Sequence, residues 1–151
     1  MRVILGIFIA AAVIIQFFRP EKNLSAAAPD RNDLLLMHPT APEVGDALKR
    51  ACYDCHSDHT RYPWYAEIQP VAWWLDSHVR EGKEHLNFSQ FGRYSTKRQL
   101  HKLDELIGEV EDGKMPLASY KFVHAEARLT DAEVDMLVAW AEDLQDQISA
   151  P

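Results

Sequence analysis

From residue 42 onward, apolar side chains recur every three to four positions in separate stretches, whereas positions 3–18 are apolar almost without interruption. The periodic stretches predict helices. Pro42 suits the first turn of a helix over 43–55 that places Val44, Leu48 and Ala51 on one side. Pro70 opens a second, in which Val71, Trp74, Leu75, His78 and Val79 share a face until Gly82 closes it. Ser95 caps a third, whose stripe of Leu100, Leu103, Ile107 and Val110 ends before Gly113. Thr130 and Glu133 form a capping-box pair ahead of a last helix, to about Gln147, with Val134, Leu137, Val138, Ala141 and Leu144 facing inward. No strand pattern of comparable length occurs, so the fold class is all-α.

The N-terminal run has a different origin. It is bounded by Arg2 on one side and by Arg19, Glu21 and Lys22 on the other, and within it only Gln16 is polar. At about 16 residues it falls between the apolar region of a signal peptide and a spanning helix. Ala26-Ala27-Ala28 imitates a cleavage site, but 19–23 separates it from the apolar run by more than a peptidase normally tolerates. Residues 1–19 are therefore expected to be an uncleaved signal anchor or transmembrane segment. Residues 20–41, with Pro20, Pro29 and Pro39, are expected to be a tether with a short turn near Leu34 to Met37, and 42–151 the folded domain. Either export reading places that domain outside the cytoplasm, on the periplasmic side of an inner membrane.

Composition narrows the class. With 47% hydrophobic and 26% charged residues among 151, the chain is globular and sized for one core. The net charge of −7, with no basic cluster interleaved with aromatics, argues against nucleic acid as a partner.

The candidate chemistry lies in Cys52-Tyr53-Asp54-Cys55-His56, a C-x-x-C-H sequence that uses both cysteines of the chain. This is the attachment signature of c-type haem. Residues i, i+3 and i+4 of a helical turn share a face, so two sulfurs can reach the porphyrin edge while the imidazole rises toward the iron. A structural disulfide, a thioredoxin-like dithiol and half of a zinc site are the competing readings. The disulfide leaves His56 unexplained, the dithiol lacks an alternating strand–helix context, and the zinc site lacks a second tight ligand pair.

Met115 follows the Gly113 stop and precedes Pro116, which places a thioether on a stiffened loop where an axial ligand can be presented. Core gap filling is the alternative for Met115. His78, on the apolar side of its helix, is the reserve ligand, and His38 lies in the expected tether. Trp64, Tyr65, Trp73 and Trp74, with Tyr62, Phe88 and Phe91, make the segment after the motif unusually aromatic; haem walls or plain core packing explain them equally.

Cys52-Tyr53-Asp54-Cys55-His56-Ser57, Arg61-Tyr62-Pro63-Trp64-Tyr65, Gln69-Pro70-Val71-Ala72-Trp73-Trp74-Leu75 and His85-Leu86-Asn87-Phe88-Ser89, in that order, resemble the small bacterial haem-binding-domain proteins related to cytochrome c. The resemblance implies a cytochrome c-like helical domain around one covalent haem c, with Cys52 and Cys55 as attachment sites and His56 as proximal ligand. Gly113-Lys114-Met115-Pro116 before a capped terminal helix is similar to the distal-methionine arrangement of small class I cytochromes. The same likeness implies that the helix carrying Val44, Gly45 and Leu48 crosses the terminal helix near Trp140. The aromatic insertion between His56 and Met115 departs from the compact class I pattern.

The expected function is one-electron transfer in a membrane-associated redox chain, with redox proteins as partners, iron held by His56 and Met115, no enzymatic activity and no small-molecule substrate. A haem enzyme or gas or redox sensor with an open distal site, where His78 or His85 hydrogen-bonds a ligand, is the alternative. An exported structural or metal-binding module without haem is the third.

Overall fold

The structure is a computed structural model, and it describes residues 1–26 and 28–150. Ala27, in the middle of the alanine stretch weighed as a cleavage site, lies outside the described residues.

Eight α-helices are present among the described residues: α1 (Arg2–Ile14), α2 (Leu34–Met37), α3 (Pro42–Ala51), α4 (Tyr53–His56), α5 (Val71–His85), α6 (Thr96–Glu111), α7 (Ala118–Val123) and α8 (Asp131–Ser149). Short 3₁₀ turns follow α1 (Ile15–Phe17) and lie at Trp64–Glu67, Phe88–Arg93 and Ala125–Ala127. The only strand-like pairing among the described residues is one bridge between Leu24 and His59, so the fold is all-α as expected.

Local chemistry sets the helix ends. Ser95 Oγ accepts from the Arg98 N–H at the start of α6. At α8, Glu133 N–H donates to Thr130 Oγ1 at 3.3 Å while Thr130 N–H donates back to the Glu133 carboxylate at 2.8 Å, the reciprocal capping box expected from sequence. Gly113 ends α6 with φ +66°, a left-handed conformation that glycine adopts without steric cost.

The core forms where the apolar stripes of α6 and α8 meet: Leu103, Leu106 and Val110 face Leu137, Ala141 and Leu144. Val44, Ala47 and Leu48 of α3 join this cluster, and α3 packs against α8. Arg50 reinforces the contact through an ion pair with Glu133 and a 2.5 Å hydrogen bond to the Glu126 carbonyl.

Four expectations are corrected. The helix foreseen over 43–55 breaks at Cys52 (φ −126°, ψ −42°), so the C-x-x-C-H motif occupies its own single turn, α4, after α3. Gly82 does not close α5, which continues to His85; the glycine is a contact residue facing α4. Residues 20–41 do not hang as a free tether. Leu34 is 0% exposed in the core, Asp33 is buried, and Asn23 Nδ2 donates to the Ser57 carbonyl and Thr60 Oγ1. Tertiary contacts override the proline-rich composition because Leu34 and Leu35 supply apolar surface that the domain can bury. Finally, no helix among the described residues is long and apolar enough to cross a membrane, so the transmembrane expectation for 1–19 is not met. α1 ends at Ile14, and with its 3₁₀ extension it measures roughly 26 Å against a hydrocarbon core of about 30 Å.

Candidate haem site

α4 is held at both ends of its turn. Cys52 N–H donates to the Leu48 carbonyl and so finishes α3, while the Cys52 carbonyl accepts from Cys55 N–H (3.2 Å) and His56 N–H (3.0 Å). The break between the helices therefore preserves the i, i+3, i+4 relation on which the motif depends. Both cysteines are free. Burial pushes the Cys52 thiol up to about 12, with the neighbouring Cys55 sulfur adding to it, and burial likewise pushes Cys55 up to about 11. Both are neutral thiols at physiological pH, unlike the acidified nucleophile of a dithiol oxidoreductase. Among the described residues no three His, Cys, Asp or Glu side chains are grouped to hold a metal ion, which counts against the zinc reading.

His56 is oriented by the backbone that follows α5. Its Nδ1 lies 2.9 Å from the Leu86 carbonyl oxygen. A carbonyl only accepts, so the proton sits on Nδ1 and the lone pair on Nε2, the arrangement of a ligating imidazole. Burial lowers the pKa of the ring, partly offset by the Leu86 and Gly82 carbonyls and reinforced by nearby His85. The neutral ligating form is thereby favoured. Phe88, 1% exposed, lies beneath it with ring centroids 6.0 Å apart, and Tyr53 stacks on the same Phe88 at 4.9 Å. Tyr53 also donates to Asp33 Oδ1, tying the motif to the segment before α2.

Between the two cysteines, Asp54 organises a network that sequence reading did not single out. Its carboxylate, 8% exposed, accepts from Arg61 Nε and Nη2 (both 3.0 Å), from the Arg61 backbone N–H (3.1 Å) and from Tyr120 Oη (2.6 Å). Burial and the adjacent carboxylate raise the Tyr120 pKa, so the phenol remains a donor. Tyr120 stacks on His124 at 4.3 Å; His124 Nε2 meets the Tyr65 hydroxyl at 2.6 Å and its Nδ1 faces Glu126 at 3.2 Å. Arg61 lies close enough to Asp54 in sequence to suggest a pair, but Tyr120 is 66 residues away and its role exists only in the fold. Asp54→Asn presents an amide N–H₂ where donors converge. It is expected to cost about 2–4 kcal/mol, and in a double-mutant cycle with Tyr120→Phe to show non-additivity, both read from denaturation midpoints. Additive effects would mean that the 2.6 Å contact contributes nothing of its own.

Met115 is half-buried against the same apolar cluster that Cys52 and Tyr53 border, its N–H donating to the Glu109 carbonyl at 2.9 Å. The fold thus brings Met115 to the core shared by the motif. His78 is bound to its own helix, with Nδ1 2.8 Å from the Trp74 carbonyl and its ring against Trp74. His38, set aside from sequence because it fell in the expected tether, packs edge-on to Phe91, and its Nε2 is buried with no hydrogen-bond partner among the described residues. A buried imidazole nitrogen left unpaired is costly in a protein interior. The residues fit haem: two uncrosslinked thiols, an imidazole in the ligating tautomer, and further soft or imidazole donors bordering the same core.

The model of a haem-binding domain matches residues 10–143 of this chain. The chain belongs to the haem-binding domain family. The matched residues span the C-x-x-C-H turn, the Asp54 network, the segment of Met115 and most of α8. Neither the curated proteins nor the solved structures yielded a match.

Proposed function

We propose that this haem-binding domain is a small c-type cytochrome that carries single electrons at the periplasmic face of a bacterial inner membrane, to which α1 attaches it. The observation that carries the reading is the α4 turn, where Cys52, Cys55 and His56 lie within one helical turn and the Leu86 carbonyl accepts from the Nδ1–H of His56, leaving its Nε2 lone pair for a ligand. Cys52 and Cys55 would hold haem c through their sulfurs, and His56 would ligate its iron. When bound, the group supplies a ferrous–ferric couple. Met115 is the proposed second axial ligand, since its thioether is presented from a stiffened loop beside the shared core. With His56 and Met115 both holding the iron, no site would be left for a substrate, and the partners would be redox proteins. The membrane attachment rests on α1, apolar around its circumference and exposed throughout.

One observation favours a second reading of the distal ligand: the unpaired, buried His38 Nε2. The ferrous protein, matured in an exporting host, is expected to be low-spin and unreactive toward carbon monoxide. Met115→Ala should turn it high-spin and carbon monoxide-binding. If Met115→Ala leaves the spectrum unchanged and His38→Ala shifts it, the ligand is His38. A wild-type protein that takes up carbon monoxide readily would instead support an open distal site, as in a haem enzyme or sensor.

A further inference from the structure

α1 does not end the apolar surface of the N-terminus. Phe17 and Phe18 follow it, both exposed, and on the domain Trp64 (77% exposed), Ile68, Trp73 (41%) and Trp74 (47%) are exposed on either side in sequence of Gln69, which hydrogen-bonds to the end of the helix. Three of the four tryptophans of the chain thus stand on solvent-facing positions at one junction. Single exposed apolar residues are ordinary, but several exposed tryptophans in the segment that holds the end of an exposed apolar helix are not.

The junction is held by hydrogen bonds. Gln69, 4% exposed, lies between Ile68 and the first turn of α5 and grips the end of the helix. Its N–H donates to Gln16 Oε1 at 2.9 Å, its Nε2 donates to the Phe18 carbonyl at 2.8 Å, and its own carbonyl accepts from Gln16 Nε2 at 3.3 Å. Glu67 adds ion pairs to Arg19 and Lys22 just beyond. Gln16, the one polar residue of the N-terminal run, is therefore the latch that sets the angle between helix and domain.

We propose that this aromatic face is a membrane-docking surface that sinks into the headgroup layer of a lipid bilayer beside α1. The inference rests on the membrane attachment proposed above and goes beyond it, because it replaces a domain on a stalk with one laid against the bilayer in a fixed orientation. The occupant is lipid and not a protein because these tryptophans flank Gln69, which is hydrogen-bonded to the end of a helix that is apolar and exposed throughout. The segment hydrogen-bonded to the end of the helix is tryptophan-rich, and tryptophan is favoured at the membrane–water interface.

The full chain with its haem, reconstituted in phosphatidylcholine vesicles, would be tested by hydroxyl-radical footprinting with mass-spectrometric readout. Trp140, half-buried on α8, is an internal reference of the same intrinsic reactivity. Docking requires Trp64 to be oxidised more slowly than Trp140 although it is far more exposed in the protein alone. In the companion measurement, Trp64→Gln/Trp73→Gln/Trp74→Gln should reduce partition onto the vesicles roughly tenfold. Chains that float with the vesicles while Trp64 is oxidised faster than Trp140 would overturn the docking surface and leave the membrane attachment standing. Wild-type chains that fail to float would overturn both.

Discussion

A chain carrying Cys52→Ala and Cys55→Ala together is expected to lose its haem completely on acid–organic extraction under denaturing conditions, while the unaltered chain keeps it through the same treatment. Both proteins would be made in a host that exports and matures c-type cytochromes and followed by absorbance of the separated polypeptide. The all-or-none size of the effect follows from bond type: a ligand held by His56 and packing alone is released once the fold is lost, whereas a thioether survives unfolding. The motif turn supports this outcome, since both sulfurs are free thiols within one turn of each other and neither is committed to a disulfide. His56 remains in the double variant, so that variant should still bind haem while folded. Release of haem from the unaltered chain on denaturation would show that this haem-binding domain holds its cofactor non-covalently. A native double variant that binds none would show that His56 and packing do not suffice.

The second large effect concerns how tightly α5 is laid against the motif. A Cβ built on Gly82 would sit 2.7 Å from the Cys55 carbonyl oxygen and 3.2 Å from both its carbonyl carbon and its Cβ. Two of those atoms are backbone and cannot swing aside, so Gly82→Ala must push α4 and α5 apart. Overpacking of this kind typically costs 1–3 kcal/mol, and Gly82→Val should exceed that range. Because the strain falls on Cys55 itself, haem incorporation should decline along with stability. Gly108 is the matched control: it is also helical, in α6, but a Cβ there would meet nothing within 4 Å. Gly108→Ala should therefore stabilise by up to about 1 kcal/mol through helix propensity. Opposite shifts in the denaturation midpoints are the expected result; a Gly82→Ala variant as stable as Gly108→Ala would mean that the close approach is not maintained in solution.

The proposed redox partnership and the proposed membrane docking would have a common geometric consequence. If the Trp64–Trp74 face lies on lipid, the surfaces available to a soluble redox protein are those turned away from it, and the Gln16–Gln69 latch limits how far the domain can reorient. Electron transfer would then be steered by the orientation of the domain and not by diffusion of a tethered head.

Much of this protein was legible in the order of its residues. The 3.6-residue apolar period placed α3, α6 and α8, because a stripe such as Leu103–Val110 or Leu137–Leu144 has to be buried against something. The Thr130–Glu133 box and the Gly113 stop are local hydrogen-bonding and steric devices, and both stand where they were expected. The C-x-x-C-H spacing pointed to haem for the same reason, its chemistry being confined to one helical turn, while the motifs downstream of it did so through resemblance to a family. Tertiary structure decided what depends on partners distant in sequence. Leu34 belongs to the core although its neighbours read as a tether, because the 3₁₀ turn holding Phe88 and Phe91 offers it a surface. Gly82 looked like a helix stop but is a spacer, since only the fold brings Cys55 against it. Asp54 gained Tyr120, Gln16 gained Gln69, and His38 moved from linker to buried imidazole with an unpaired nitrogen. Local periodicity specifies which face of a segment must be covered; it carries no information about which distant residue covers it, and that choice is made by packing.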